Sequence, residues 1–315
     1  MILATGATGY VGRQVIAALA SGGHKVRALL RSESRAPVLA GYDVELAYGD
    51  VLDPESLRRA CDGVEGVVHL AGVVRESGQA TFQRVNYEGT RNLLDAAATA
   101  SVSRFVLASA IGTTSDPAVP YLHSRWMAEE ETKRSPVPNV IVRFSVGFGE
   151  GDEFFAVLAA QVKLSPIVPI VGDGQARFQP IYVADVAKCL ALACEREDLI
   201  GQTIEAGGPE YFTYEQMIDL VAQTLGARIA KIHVPVAMVK PAAAIMEALM
   251  PRPMVTREQI KMLRLDNTTG IDSVWKTFGF EPQSLRDGIG YVANIGLLDA
   301  LRINLGSMPA HIRDH

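Results

Sequence analysis

The 315-residue sequence predicts an α/β fold, a doubly wound parallel sheet with a smaller, discontinuous C-terminal lobe. Three observations predict it. Short apolar runs alternate with stretches long enough for a helix. Those runs are almost continuously apolar, as strands covered by helices on both faces must be. A glycine-rich turn follows the first run and opens a helical stretch.

In chain order the predicted strands are "MILAT", "KVRALL", "VELAYG", "GVVHLAG", "RFVLAS" and "NVIVRFS". After Ser145 the texture changes to glycine- and proline-containing segments, "GFGEGDEFF" and "PIVPIVGDGQARFQPIYV". A later run, "TIEAGG", is expected to rejoin the sheet, which divides the chain into residues 1–146 plus 177–208 and residues 147–176 plus 209–315. The longest apolar region, 234–254, is interrupted by Lys240, Pro241, Glu247 and Pro251, too often for a membrane span. It is expected to form a core-facing helix of the C-terminal lobe, the alternative being an apolar face for a membrane surface, a partner or a lipophilic substrate.

With 48% hydrophobic and 21% charged residues the chain can bury a substantial core. A net charge of −5 and the lack of any basic block exclude a nucleic-acid-binding role. Cys61, Cys189 and Cys194 form no CxxC pair and have no histidine at ligand spacing, so they are expected as buried small hydrophobes in a reducing compartment, with no metal site. A strand that starts at the second residue leaves no room for a signal segment, and a cytoplasmic location is expected.

Within "TGATGYVGRQV", Gly6, Gly9 and Gly12 sit where a strand turns into a helix. Glycine there lets the backbone turn tightly and approach a pyrophosphate, whose charge meets the positive end of the helix dipole. About 20 residues beyond such a loop, an acidic residue selects a free ribose hydroxyl, whereas an arginine accommodates a 2′-phosphate. The second strand runs into Arg31, and Arg13 directly follows the third glycine, so NADP(H) is preferred and NAD(H) stays open; Glu33 argues the other way. Asp50, after the third strand, is placed to meet the adenine edge.

This glycine spacing, "GDV" at 49–51, "HLAG" at 69–72, "NYEGTRNLL" at 86–94 and Tyr121 followed four residues later by a basic residue together resemble the extended and atypical short-chain dehydrogenase/reductases. The resemblance continues through "VGDGQARFQPIYVADVA", "EAGGPEYFTYEQMIDLVAQTLG" and "REQIKMLRLDNTTG", nearly the whole chain. The last segments look most like bacterial relatives of the nucleotide-binding accessory subunit of respiratory complex I, near the NmrA-like and epimerase-like groups. It implies a Rossmann domain in which Gly6, Thr8, Gly9, Tyr10, Val11, Gly12 and Arg13 line the phosphates and Asp50 and Val51 contact adenine. Leu70, Ala71 and Gly72 would pass under the cofactor with Asn86 nearby, Tyr121 would stand beside the nicotinamide, and Phe144 and Ser145, where many relatives follow their strand with proline, would contact the cofactor. Arg177, Gln179 and Asp185 match the segment that closes over the second lobe, Asp185 being expected to cap and brace a helix.

The family places lysine four residues after its tyrosine, on the same helix face, where a cation supports a phenolate whose free pKa is about 10. Arg125 retains the charge but does not pass protons readily. Ser109 is the nearest match for the hydroxyl that bonds a substrate carbonyl, with Ala110 as the competing register and Thr113 and Thr114 in reserve. His69 is expected to be a satisfied histidine, and His123 lies on a different helix face from Tyr121.

These residues favour an enzyme, an oxidoreductase that moves hydride between NADP(H) and a carbonyl, enone or quinone-like small molecule. One alternative is a non-turnover NADP(H)-binding accessory, assembly or redox-sensing protein in peripheral contact with a membrane complex. The other is a nucleotide-sugar epimerase or dehydratase. A homodimer is the expected assembly if apolar helix faces are exposed.

Overall fold

The structure, a computed structural model, describes residues 1–239, 241, 243, 256–263 and 265–313. It divides into two compact units: Met1–Phe144 with Val183–Ala206 and Val274–Phe280, and Ser145–Tyr182 with the described residues of Gly207–Ser273 and Glu281–His315.

The first unit is built on seven parallel strands: β1 (Ile2–Thr5), β2 (Val26–Leu30), β3 (Val44–Tyr48), β4 (Gly66–His69), β5 (Arg104–Ala110), β6 (Asn139–Phe144) and β7 (Thr203–Ala206). Their order across the sheet is β7-β6-β5-β4-β1-β2-β3, so the winding reverses between β1 and β4. All seven predicted strands are present; the inner ones are buried by helices on both sides, whereas β3, at the sheet edge, is half-exposed, with Tyr48 45% exposed. On one face Leu3, Leu29, Val67, Phe105 and Ile141 meet α2 (Pro54–Cys61), α3 (Gly89–Thr99) and α4 (Pro120–Arg134). Intervening residues such as Ala4, Ala28, Val68 and Val142 are buried on the other, where α1 (Tyr10–Ser21) and the helix Val183–Glu195 pack. Asp185 lies in the first turn of that last helix. Its C-terminal end is held by Arg104, whose Nη1 donates to the carbonyls of Ala193 and Arg196.

The sequence placed 145–146, 177–182 and 207–208 with the first domain and 274–280 with the second; in the structure these segments fall the other way. The segment Val274–Phe280 is held by side chains distant in sequence. Lys188 Nζ lies 3.9 Å from the centroid of the Phe280 ring, and Arg196 donates to the Thr277 carbonyl.

In the second unit the helices Phe154–Leu164 and Tyr214–Thr224 pack together over a core that includes Phe148, Phe155, Ile170, Met217 and Val221. Thr213 and Gln216 form a reciprocal capping box at the start of the second helix. A parallel ribbon, Ile167–Val171 with Ala230–Val234, and the helix Leu297–Asn304 complete the unit. Of the apolar region 234–254, residues 240, 242 and 244–254 lie outside the described residues, so the helix expected there does too. No helix among the described residues is long and apolar enough to cross a membrane.

Candidate functional site

The loop between β1 and α1 is shaped by what a side chain would strike. Gly6 has φ +67°, and a Cβ there would sit 2.9 Å from the Ala71 nitrogen and 3.0 Å from the Leu70 carbonyl carbon. Only glycine combines that backbone conformation with so close a neighbour. At Gly12 a Cβ would fall 2.2 Å from the Gly6 carbonyl oxygen, so the first turn of α1 lies directly on the loop. Gly9 is the N-cap of α1 and brings no side chain to it. A bare helix N-terminus with a close-packed glycine cradle fits a dinucleotide pyrophosphate. Thr8, Tyr10 and Val11 are part-exposed around this end.

At the sheet's other side, β2 delivers an exposed Arg31, and Leu30 lies in register with Tyr48 of β3. Arg13 is instead only 4% exposed, so the sequence reading that extends it toward a phosphate gives way to an interior position. A residue that the sequence reading passed over lies against the loop instead. Arg35, in the 3₁₀ turn after β2, donates from Nη2 to the Thr8 carbonyl at 3.4 Å and so reaches back to the glycine loop. Asp50 accepts from the Leu52 backbone at 2.9 Å, which fixes the turn that presents it, and Val51 is buried against Gly89.

The end of β4 is fixed by a buried polar network. Thr5 and His69 are in register on neighbouring strands. Thr5 Oγ1 accepts from the Leu70 and Ala71 backbones, both at 3.2 Å, and lies 2.7 Å from His69 Nδ1. On the other side of the ring, His69 Nε2 is 3.0 Å from Thr90 Oγ1, whose own proton goes to the Asn86 carbonyl. This pattern assigns the His69 proton to Nε2, donating to Thr90, with Nδ1 accepting from Thr5. Burial, then the positive charge of Arg125, pushes the imidazole down to about 3, so it is a neutral brace. Asn86 is fully buried, and its amide pairs with both the N–H and the C=O of Val73 and donates to Ser124. Its geometry is that of a clamp on the Leu70–Val73 segment rather than a cofactor contact.

Tyr121 and Arg125 project from the same face of α4. The Arg125 guanidinium carbon is 5.6 Å from the centroid of the Tyr121 ring, which also packs on Phe82 at 5.7 Å. Arg125 lies against Gly72, where a Cβ would come within 2.5 Å of Nη2, and makes a long 3.5 Å contact from Nη1 to the Ala108 carbonyl. The cation therefore sits where β4 and β5 end, beside the tyrosine.

Ser109 is turned elsewhere. Its hydroxyl donates to Glu129 Oε1 at 2.6 Å, and Glu129 is completely buried. Arg143 grips the same carboxylate from Nε at 2.9 Å and Nη2 at 2.7 Å and reaches Glu205 at 3.4 Å. Ser109, Arg143 and Glu205 are in register across β5, β6 and β7, so one polar row, running from buried Glu129 and Ser109 to part-exposed Glu205, ties α4 to three strands. A hydroxyl committed to this row braces the helix and is not poised for a substrate carbonyl. Thr113 donates to the Ala110 carbonyl, and Phe144 is buried at the end of β6. Glu129 follows Arg125 by four residues on the stripe that holds Tyr121, a spacing by which the sequence could have found it.

Among the described residues no group of histidine, cysteine and carboxylate side chains could hold a metal ion. In the second unit, Arg177 pairs with Asp266 at 2.8 Å, and buried Gln179 donates to the Gly208 carbonyl and accepts from the Thr269 backbone.

Comparison with known proteins agrees with this geometry. The model of the NAD dependent epimerase/dehydratase family matches residues 2–207. Ceramide reductase of Caulobacter vibrioides is 28% identical over 248 residues, 79% of this chain and 78% of that protein. The mitochondrial NADH dehydrogenase (ubiquinone) 1 alpha subcomplex subunit 9 of Arabidopsis thaliana is 26% identical over 242 residues, 74% of this chain and 60% of that one. The crystal structure of gox2253 has a TM-score of 0.74 and 28% identity, covering 98% of this chain and 99% of that one. Its fold, its glycine loop and a family match over more than half of its length mean that this chain belongs to the NAD dependent epimerase/dehydratase family.

Proposed function

We propose that this protein is an NADP(H)-dependent reductase of a carbonyl, enone or quinone-like small molecule, with Tyr121 as proton donor and Arg125 as its fixed cation. The observation that carries this reading is the guanidinium lodged between Gly72 and the Tyr121 ring. When bound, the dinucleotide supplies the hydride. The chain's own residues do the rest. The Tyr121 hydroxyl gives its proton to the substrate oxygen, and Arg125 offsets the negative charge that then forms. Because guanidinium holds its protons, Tyr121 is reprotonated by solvent rather than through Arg125. Exposed Arg31 and loop-reaching Arg35 support the preference for a 2′-phosphate. Reductase activity in the Caulobacter relative supports the reaction class.

A second reading, a non-turnover NADP(H)-binding accessory protein, is favoured by Ser109, whose hydroxyl is spent on Glu129. The relationship to a respiratory-complex subunit fits it as well. A nucleotide-sugar role draws less support, since Arg177 is already paired with Asp266. The deciding experiment measures release of bound NADPH by its fluorescence, with NADP⁺ as competitor and NADH in parallel. Release within seconds, NADH binding at least about tenfold weaker and loss of ketone or quinone turnover in Tyr121→Phe are expected. NADPH retained for hours with no turnover would establish the accessory reading instead, and equal NADH binding would refute the roles of Arg31 and Arg35.

A further inference from the structure

The helix Leu297–Asn304 of the second unit has two apolar faces. Ala300 and Ile303 are buried against the helix Phe154–Leu164. Facing outward, Leu297, Leu298, Leu301 and the C-cap Leu305 are 65%, 72%, 48% and 74% exposed. At 100° per residue these four leucines fall within an arc of about 100°. Exposed Arg302 borders the arc on one side. Asp299 lies beyond it, paired with His311 at 3.2 Å. The helix is not a loose tail, since Lys163 donates to the carbonyls of Ala293 and Ile295 and pins the turn that leads into it.

We propose that this leucine face is a membrane-surface anchor that lies in the headgroup–acyl boundary of a lipid bilayer. A helix with leucines on one arc and a cation at its edge has the form that such insertion requires, with the arginine reaching the headgroups. The size of the face decides between a bilayer and a second protein. A stable interface takes about 800 Å² and roughly 20–30 residues from each partner, and one face of a helix about 12 Å long falls far short. Insertion has no such threshold, because each buried carbon contributes by itself. Weighted by exposure, the four leucines present about ten side-chain carbons, against the fourteen of a myristoyl chain that binds bilayers with a constant of about 10⁴ M⁻¹. The anchor is therefore weak and reversible. It is independent of the reductase reading.

Co-sedimentation with phosphatidylcholine vesicles tests it, with the lipid concentration varied. Four carbons fewer than a myristoyl chain lower the constant by about two decades, so wild-type protein is expected to partition with a constant of about 10² M⁻¹, read at about 10–50 mM lipid, and Leu298→Ser/Leu301→Ser to bind at least about tenfold more weakly. Unchanged circular dichroism and NADPH binding show that the variant is folded. Should it fail to fold, Leu297→Asn/Leu305→Asn on the same arc replaces it. Equal sedimentation of wild type and variant overturns the proposal. So does binding that appears only when anionic phosphatidylglycerol is added, since the leucines would then not be its source. A wild-type dimer that either double substitution converts to monomer, seen by ultracentrifugation without lipid, would make the face a self-association surface and also overturn it.

Discussion

Replacing Gly12 by alanine tests whether the close contact between α1 and the glycine loop makes the dinucleotide site. The added Cβ would lie 2.2 Å from the Gly6 carbonyl oxygen, 2.7 Å from that of Ala7 and 2.8 Å from the Ala7 carbonyl carbon. Ordinary contact begins at 3.4 Å, so the deficit is about 1.2 Å (3.4 minus 2.2). All three neighbours are backbone and cannot rotate away. Either the loop or the start of α1 must move by about an ångström, at an overpacking cost of about 1–3 kcal/mol. At roughly 2–4 °C per kcal/mol, the melting temperature should fall by about 2–12 °C. The same shift takes the helix N-terminus out of reach of the pyrophosphate. Loss of one charge-assisted hydrogen bond, about 1.5–3 kcal/mol, weakens NADPH binding by about 10- to 150-fold. Gly9→Ala is the internal comparison, since its Cβ would meet only the Gly6 oxygen, at 3.1 Å. It should weaken binding less than Gly12→Ala. NADPH fluorescence titration and thermal melting read both effects. A Gly12→Ala protein that binds within twofold of wild type, or better than Gly9→Ala, would refute the argument.

Three further outcomes are expected. Glu129→Gln leaves Arg143 partly buried without its carboxylate and should destabilise by about 3–5 kcal/mol in denaturant titrations, whereas Glu129→Leu/Arg143→Leu should cost less than Glu129→Leu alone. If the double variant is the less stable, the pair is not behaving as a buried ion pair. His69 titrates near 6.5 when unfolded but is pushed down to about 3 in the fold, so between those values the unfolded chain binds more protons and stability falls as pH drops. His69→Gln should lose that part of the acid sensitivity, visible as a smaller stability gap from wild type at pH 5 than at pH 7.5; an unchanged gap would contradict the assignment. Burial raises the thiols of Cys61 to about 11 and of Cys194 to about 12, and that of Cys189 well above its usual value. A disulfide reagent at pH 8 should therefore modify Cys61 and Cys189, both buried, only after denaturation, and rapid labelling of either in the native protein would show it to be accessible.

Much of the fold could be read from neighbours in sequence. Seven apolar runs became seven strands, the inner ones because a strand covered on both faces must be apolar throughout, while β3 forms the half-exposed edge. The spacing of Gly6, Gly9 and Gly12 marked the loop because the steric demand there falls on residues three apart. Tyr121 and Arg125 were placed on one face by helix geometry alone. The family resemblance rested on the same local patterns, and the family match is consistent with it.

What the sequence did not yield depends on partners that folding alone brings together. Ser109 stands where a catalytic hydroxyl was expected, yet its direction was decided by Glu129, 20 residues away. Asn86 became a clamp through Val73 and Ser124, and Arg13 was enclosed where an extended side chain had been expected. Arg35, unremarkable in a polar stretch, acquired a place at the site through the Thr8 carbonyl. Periodicity and glycine spacing record the covalent and steric demands of short segments, and these the sequence determined by itself. The tertiary structure decided how the polar side chains are used, because a buried hydroxyl, amide or carboxylate must find its hydrogen-bond partner wherever the fold provides one.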